Sequence, residues 1–304
     1  LLTAAAFRWF ADIAVDVAVV EVGMGGRWDA TNVADGVVAV VTNVALDHAE
    51  VIGPTLAEIA TEKAGIVKPG ATLVLGVTDP DLRSPFLARR AGVVWERERD
   101  FGCDVNEVAH GGRLLNLRTA AATYDGVFLG LHGAHQGDNA ACALAAAEGF
   151  FGRPLDREVV QEALASVQVP GRCEVVGRQP LLILDGAHNP AGARALTRTL
   201  DEDFGVPAAD VLIVGFTAGR DPAEMLVELR AGQARRVLTV RPPHPRGLDP
   251  EEVAAAARRL GVEAEPVSSI SAALESARVL AGEHGFVLVT GSLYVVGDAR
   301  RRLH

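Results

Sequence analysis

Cysteine is scarce in this sequence. The 304 residues hold three cysteines, Cys103, Cys142 and Cys173, too few and too scattered for a disulfide framework or a zinc site; a reducing cytoplasm fits that usage. Long apolar runs are missing too. Although 49% of the residues are hydrophobic, no run is long enough to span a bilayer, so no membrane insertion is expected. Positive charge is in deficit, with 29 Lys and Arg against 39 Asp and Glu, a formal net charge of −10. A phosphate backbone needs a basic surface, which argues against broad nucleic-acid binding and leaves small anionic ligands open through local basic groups. The opening Leu1 to Ile13 lacks the basic n-region of a signal peptide and reads as an amphipathic helix. There is no longer internal repeat and no low-complexity tail. At this length two domains are the expectation.

What is present is organised around V-A-V-V-E-V-G-M-G-G-R-W-D-A-T-N, Val17 to Asn32. The apolar run Val15 to Val22 predicts a strand that delivers Glu21 into a glycine-rich turn. An acid in a buried strand needs a cation or hydrogen bonds to compensate it, so Glu21 is expected at the strand's mouth. Gly23, Gly25 and Gly26 remove side chains where the backbone bends or a ligand comes close. Strand, acid and glycines together suggest a metal-nucleotide site. A second segment, T-N-V-A-L-D-H at Thr42 to His48, follows the apolar run Val37 to Val41. Parallel strands present their carboxyl ends to a common crevice, where Glu21 and His48 could meet. A third, Thr55-Leu56-Ala57-Glu58, is a capping box opening a helix with Lys63 in its last turn and Gly65 at its end.

Further along, strand Ala71 to Val77, helix Asp81 to Ala91 and strand Gly92 to Glu98 continue the α/β alternation. From Cys103 to Leu131 alternating residues with glycines between them predict antiparallel hairpins. Asn139 to Gly149 and Asp156 to Val167 read as helices. The first domain is placed at 1–168, a Pro-Gly linker at 169–177 and a second domain at 178–304. In the latter, strands Leu181 to Leu184, Val211 to Val214, Arg236 to Val240 and Phe286 to Thr290 are separated by helices. Asn189-Pro190, Asp221-Pro222 and Asp249-Pro250 each put an N-cap before a proline.

The run E-V-G-M-G-G-R-W-D-A-T-N, then L-D-H, then E-K-A-G-I-V-K-P-G, resembles the folylpolyglutamate synthase/dihydrofolate synthase family of the Mur ligase superfamily. H-Q-G-D-N-A at His135 to Ala140, P-G-R-C-E at Pro170 to Glu174, D-G-A-H-N-P at Asp185 to Pro190 and T-G-S-L-Y at Thr290 to Tyr294 extend the match over nearly the whole chain. The fold implied is α/β and Mur-ligase-like: a partial P-loop-type ATPase domain, then a Rossmann-like glutamate-ligase domain. The reaction implied joins L-glutamate to dihydropteroate or a reduced folate, using ATP and passing through an acyl phosphate.

Carried over residue by residue, the resemblance makes Glu21 and His48 ligands of Mg2+ and Lys63 a carbamylated lysine. His48, Lys63 and Arg172 become the catalytic set. Asn139, Arg172, Asp185 and His188 are placed on the nucleotide, and His188 and Ser292 near the incoming glutamate. Each has a plainer reading: Glu21 paired with Arg27, His48 in the core, Lys63 complementing a helix end, Arg172 solvated, Asp185 in a turn, Asn189 a helix cap. The family's G-x-x-G-K-[ST] phosphate loop occurs nowhere in these residues, so the expectation is an N-terminally truncated enzyme, inactive alone. Trp28 and Ala218 to Asp221 depart from the family's usual residues without touching the inferred metal set. A cytoplasmic monomer is expected. Two alternatives stay open, a Mur-type ligase of cell-wall precursors and a non-catalytic relic that binds.

Overall fold

The computed structural model describes residues 1–46, 52–219 and 221–303. They fall into two compact units, one of Leu1–Asp104, Asn116–Asp125 and Asp138–Val160, the other of Val105–Leu115, Gly126–Gly137 and the chain from Gln161 onward.

The first unit opens with helix α1 (Leu2–Asp12), none of whose residues is buried. Its sheet is parallel, in the order β1 (Val38–Val41), β2 (Thr72–Leu75), β3 (Val93–Glu96). Helix α2 (Leu56–Lys63) starts at the expected capping box, Thr55 accepting from the Glu58 amide while Glu58 reaches back to the Thr55 amide. Val41, Leu73 and Leu75 pack with Ala60 and Ala64 of the α2 region and with Phe86.

Two expected elements form differently here. Val15 to Val22 is not a strand; it is irregular, and Val15, Val17, Val19 and Val20 are 39, 45, 96 and 38% exposed. A strand exists only through its ladder partners, and none of the described strands pairs with this run. Glu21 therefore stands on an exposed segment rather than at a strand mouth. Asp81 to Ala91 is a 3-10 turn at Pro80–Leu82 and a single helical turn, α3 (Ser84–Leu87). Pro85 has no N–H to extend the preceding turn, which breaks the helix.

Strands β4 (Gly102–Ala109), β5 (Gly112–Arg118) and β6 (Thr123–Leu129) form a three-stranded sheet in that order. Helices α4 (His135–Phe151) and α5 (Arg157–Ser166) follow.

The second unit carries a six-stranded sheet. Its strands are β7 (Glu174–Arg178), β8 (Leu181–Leu184), β9 (Val211–Val214), β10 (Arg236–Thr239), β11 (Ala264–Pro266) and β12 (Phe286–Thr290), in the order β11-β10-β9-β12-β8-β7. All neighbours are parallel except β7, antiparallel to β8; the stretch read as a linker thus runs into a strand. Every residue of β9 and β12 is buried, as parallel strands covered on both faces require. Leu212 and Val214 face a core with α6 (Pro190–Thr199), α7 (Pro222–Glu228) and α8 (Pro250–Arg259). Val211 and Ile213 face another with α9 (Ile270–Ala281) and α10 (Leu293–Leu303). The predicted caps form: Asn189, Asp221 and Asp249 accept amide hydrogens at the starts of α6, α7 and α8.

Chain order sets the crevice. From β8 the chain steps to β9, β10 and β11, then returns to lay β12 between β9 and β8. The helix after β12 lies on the opposite face from those after β8 and β9. Neighbouring strands whose helices diverge leave an opening at their carboxyl ends.

Candidate functional site

In the first unit, the turn after Glu21 and the end of α2 are one packed piece. Arg27 and Trp28 donate their amides to the carbonyl and the carboxylate of Glu62, at 3.0 and 3.1 Å. A Cβ on Gly26 would come within 2.9 Å of the Glu62 carbonyl, and one on Gly65 within 2.4 Å of the Arg27 Cβ, so both glycines permit backbone contact that no other residue allows. Gly25 adds a left-handed φ of 69°. Asp29 accepts from the Met24 amide and from Thr31. Burial works against its charge, but those bonds outweigh it and hold the carboxyl below its usual range. Asn32 donates to the carbonyls of Arg27 and Gly65, and Lys68 donates to that of Asn32.

Lys63 is thus brought, half-buried, beside the glycine turn. Glu21 has an exposed side chain just before it. His48 lies outside the described residues. Among those described, no group of three or more His, Cys, Asp or Glu side chains is arranged to hold a metal. Asn139 is exposed in the first turns of α4. Its neighbour Asp138 pairs with Arg97, which donates to the Gly76 carbonyl beyond the end of β2. Glu62, Asp29, Asn32 and Arg97 were not singled out from the sequence. Asp29 alone had a local signal, an acid two residues before a threonine.

In the second unit, Arg172, Asp185, His188 and Ser292 come together around the carboxyl ends of β8 and β12. Asp185 accepts from the Cys173 and Ala187 amides, each at 2.8 Å. Burial raises its pKa, against the pull of those two bonds and of the Arg172 and His188 charges. The Arg172 Nη1 lies over Gly186, 3.1 Å from where a Cβ would stand. Cys173 holds a strained φ of 45°, and burial pushes its thiol up. His188 Nδ1 is 2.9 Å from the Gly186 carbonyl, which fixes the proton of the neutral ring on Nδ1. Ser292 is 3% exposed, and its hydroxyl accepts from the Tyr294 amide at the start of α10. The Gly291 amide donates to the Ala187 carbonyl, tying the two turns together. This mouth combines a guanidinium, an imidazole and the amides opening two helices, a setting for an anion.

Comparison with known proteins bears on the family. The model described as Mur ligase middle domain matches residues 3–147, and that described as Mur ligase, glutamate ligase domain matches 171–293. A dihydrofolate synthase/folylpolyglutamate synthase of Bacillus subtilis is 33% identical over 313 residues, covering all of this chain and 71% of that protein. The chain belongs to the folylpolyglutamate synthase/dihydrofolate synthase family. Within it, the Mycobacterium tuberculosis dihydrofolate synthase/folylpolyglutamate synthase is 44% identical over 217 residues, 67% of this chain and 45% of that protein. The chain thus aligns with under half the length of that curated relative. A crystal structure of the M. tuberculosis folylpolyglutamate synthase complexed with ADP and AMPPCP superimposes with a TM-score of 0.90 at 37% identity, covering 99% of this chain and 72% of that one. The Mur-ligase-like α/β fold expected from the motifs is therefore the fold of the family.

Proposed function

We propose that this protein is an ATP-dependent amide ligase that adds L-glutamate to dihydropteroate, to a (poly)glutamyl tetrahydrofolate, or to both, as a monomer in the cytoplasm. A carboxylate oxygen of the pteroate or folate attacks the γ-phosphorus of ATP, releasing ADP and forming an acyl phosphate. The glutamate amine then attacks the acyl carbon, losing a proton, and inorganic phosphate leaves. Residues 1–168 serve ATP and metal and 178–304 the amino acid, with 169–177 between them.

In this reading Glu21 would hold Mg2+ through a hard carboxylate oxygen, unburied and next to the glycine turn, and His48, which lies outside the described residues, would add an imidazole nitrogen. When bound, the ion neutralises charge on the phosphoryl group in transfer. A carbamate on Lys63, formed when its Nζ loses one proton, attacks CO2 and loses a second, would turn a cation into an anion able to assist that ion. Arg172 carries a fixed positive charge for the phosphates, Asn139 serves the adenine, Asp185 and His188 the nucleotide, and His188 with Ser292 the glutamate.

The observation that carries this reading is the fit of the G-M-G-G-R turn onto the E-K-A-G helix end, in a member of this family. The test is glutamate incorporation and ADP release by the full natural chain, with ATP, Mg2+ and either dihydropteroate or tetrahydrofolate. Turnover that needs all three substrates is expected, falling at least about 100-fold in Lys63→Ala, as for loss of a transition-state contact. ADP release with no amide product, or full activity in Lys63→Ala, would overturn the assignment.

A further inference from the structure

We propose that His244, on the loop after β10, is a binding residue for a carboxylate of the incoming amino acid, its Nε2–H donating to that group. The inference rests on the ligase reading above and adds a residue to the amino-acid end of the site.

The loop R-P-P-H-P-R, Arg241 to Arg246, leaves the carboxyl end of β10 and is held without regular structure. The His244 amide donates to the Pro242 carbonyl and the Gly247 amide to the His244 carbonyl. Arg246 is bonded in both directions to Ala218, its carbonyl accepting from the Ala218 amide and its guanidinium donating to the Ala218 carbonyl. Three prolines restrict what remains. The loop is therefore preorganised, and its one imidazole sits at a fixed place.

That place is the mouth already described. The His244 ring stacks on Tyr294, with centroids 4.4 Å apart and planes at 31°. Tyr294 is 48% exposed and belongs to the turn that Ser292 caps. Ser292 itself is buried, with its oxygen occupied, so the half-exposed pair beside it is what a ligand meets first.

The ring's protonation state follows from geometry. The Arg246 backbone N–H, 3.1 Å from Nδ1, can only donate. Nδ1 is therefore the acceptor, and in the neutral ring the proton is on Nε2. No acid occurs from Arg241 to Leu248, and Asp249 just beyond is paired with Arg241. A donor N–H in a loop with two guanidinium groups suits an anionic partner, and because its ring lies on Tyr294, in the turn of Ser292 rather than beside Arg172 and Asp185, the anion it meets is the amino acid rather than the nucleotide.

The test uses the full natural chain in the glutamate-joining assay, with His244→Phe and His244→Gln. Phenylalanine keeps a ring on Tyr294 and loses the donor; glutamine returns an N–H near the Nε2 position. Expected in His244→Phe is a KM for glutamate raised roughly 10- to 100-fold, the worth of a hydrogen bond to a charged group. The kcat and the KM for ATP and for the folate should stay within about twofold, and His244→Gln should recover most of the loss. An unchanged KM for glutamate in His244→Phe overturns the assignment. So does an equal rise in the KM for ATP, or in thermal lability, which would mark His244 as a mere support of the loop. Wild-type protein that joins no glutamate overturns the ligase reading as well, so the two failures are distinguishable.

Discussion

Two buried carboxylates of the second unit are driven in opposite directions. Asp185 is raised by burial, so the native protein binds its proton more tightly than the unfolded chain does. Its contribution to stability is complete below the ordinary aspartate value of about 3.9 and is lost as pH rises through the raised native value. Asp185→Asn should remove that dependence in urea titrations across this range. Asp185→Ala leaves the Cys173 and Ala187 amides without an acceptor and should cost about 2–4 kcal/mol. Asp203 has a side chain with no exposure and pairs with Arg113 and His132. Burial opposes its charge, but the bonds from His132 and the Gly133 amide and the Arg113 charge prevail, and its pKa is lowered. Its contribution is complete above about 3.9 and disappears as pH falls through the lowered value. Arg113→Leu takes the fixed cation from that carboxylate, leaving it the His132 ring and the Gly133 amide, and should cost about 3 kcal/mol, read from the urea midpoint.

Elements differ in how openly the chain announces them. The three Asx-Pro starts of α6, α7 and α8 were legible because a cap and its proline are adjacent residues whose effect is local. Val15 to Val22 was misread because a β-rich run says nothing about whether a ladder partner is beside it. Residue scale shows the same division: Lys63, Arg172, Asp185 and His188 stand in recognisable motifs, whereas Arg97 and His244 act through partners that distant segments bring up. Gly65 tests the element scale. Its α2 end lies against Arg27, and a methyl would overlap the Arg27 Cα and Cβ, at 2.5 and 2.4 Å. Gly65→Ala should destabilise by about 1–3 kcal/mol, as overpacking does. Gly70→Ala meets nothing within 4 Å at the opposite end of the same loop, although its φ of 80° still strains it. Urea titration of the two variants separates packing from conformation.

At the scale of the molecule, no helix among the described residues is long and apolar enough to cross a membrane. The six-stranded sheet has an apolar layer on each face, built from strands that side chains of opposite parity make two-sided. The turns after β8, β10 and β12, all at one end of this sheet, hold Asp185, His244 and Ser292, the residues proposed above for the nucleotide and the amino acid. Loops of one end can thus change substrate preference while both cores keep their packing.

The exposed run from Val15 to Val22 also sets a clock. Apart from the Val15 amide, which donates to the Phe10 carbonyl, its amides lie outside any ladder, while those of Val211 to Val214 sit in a strand bonded on both sides. In deuterated solvent the first set should exchange at nearly the rate of an unstructured peptide, and the second only when the whole second unit opens. A mass spectrum taken over hours would therefore show the chain ageing from that run inward, and the interval between the two fronts would measure the free energy of the sheet.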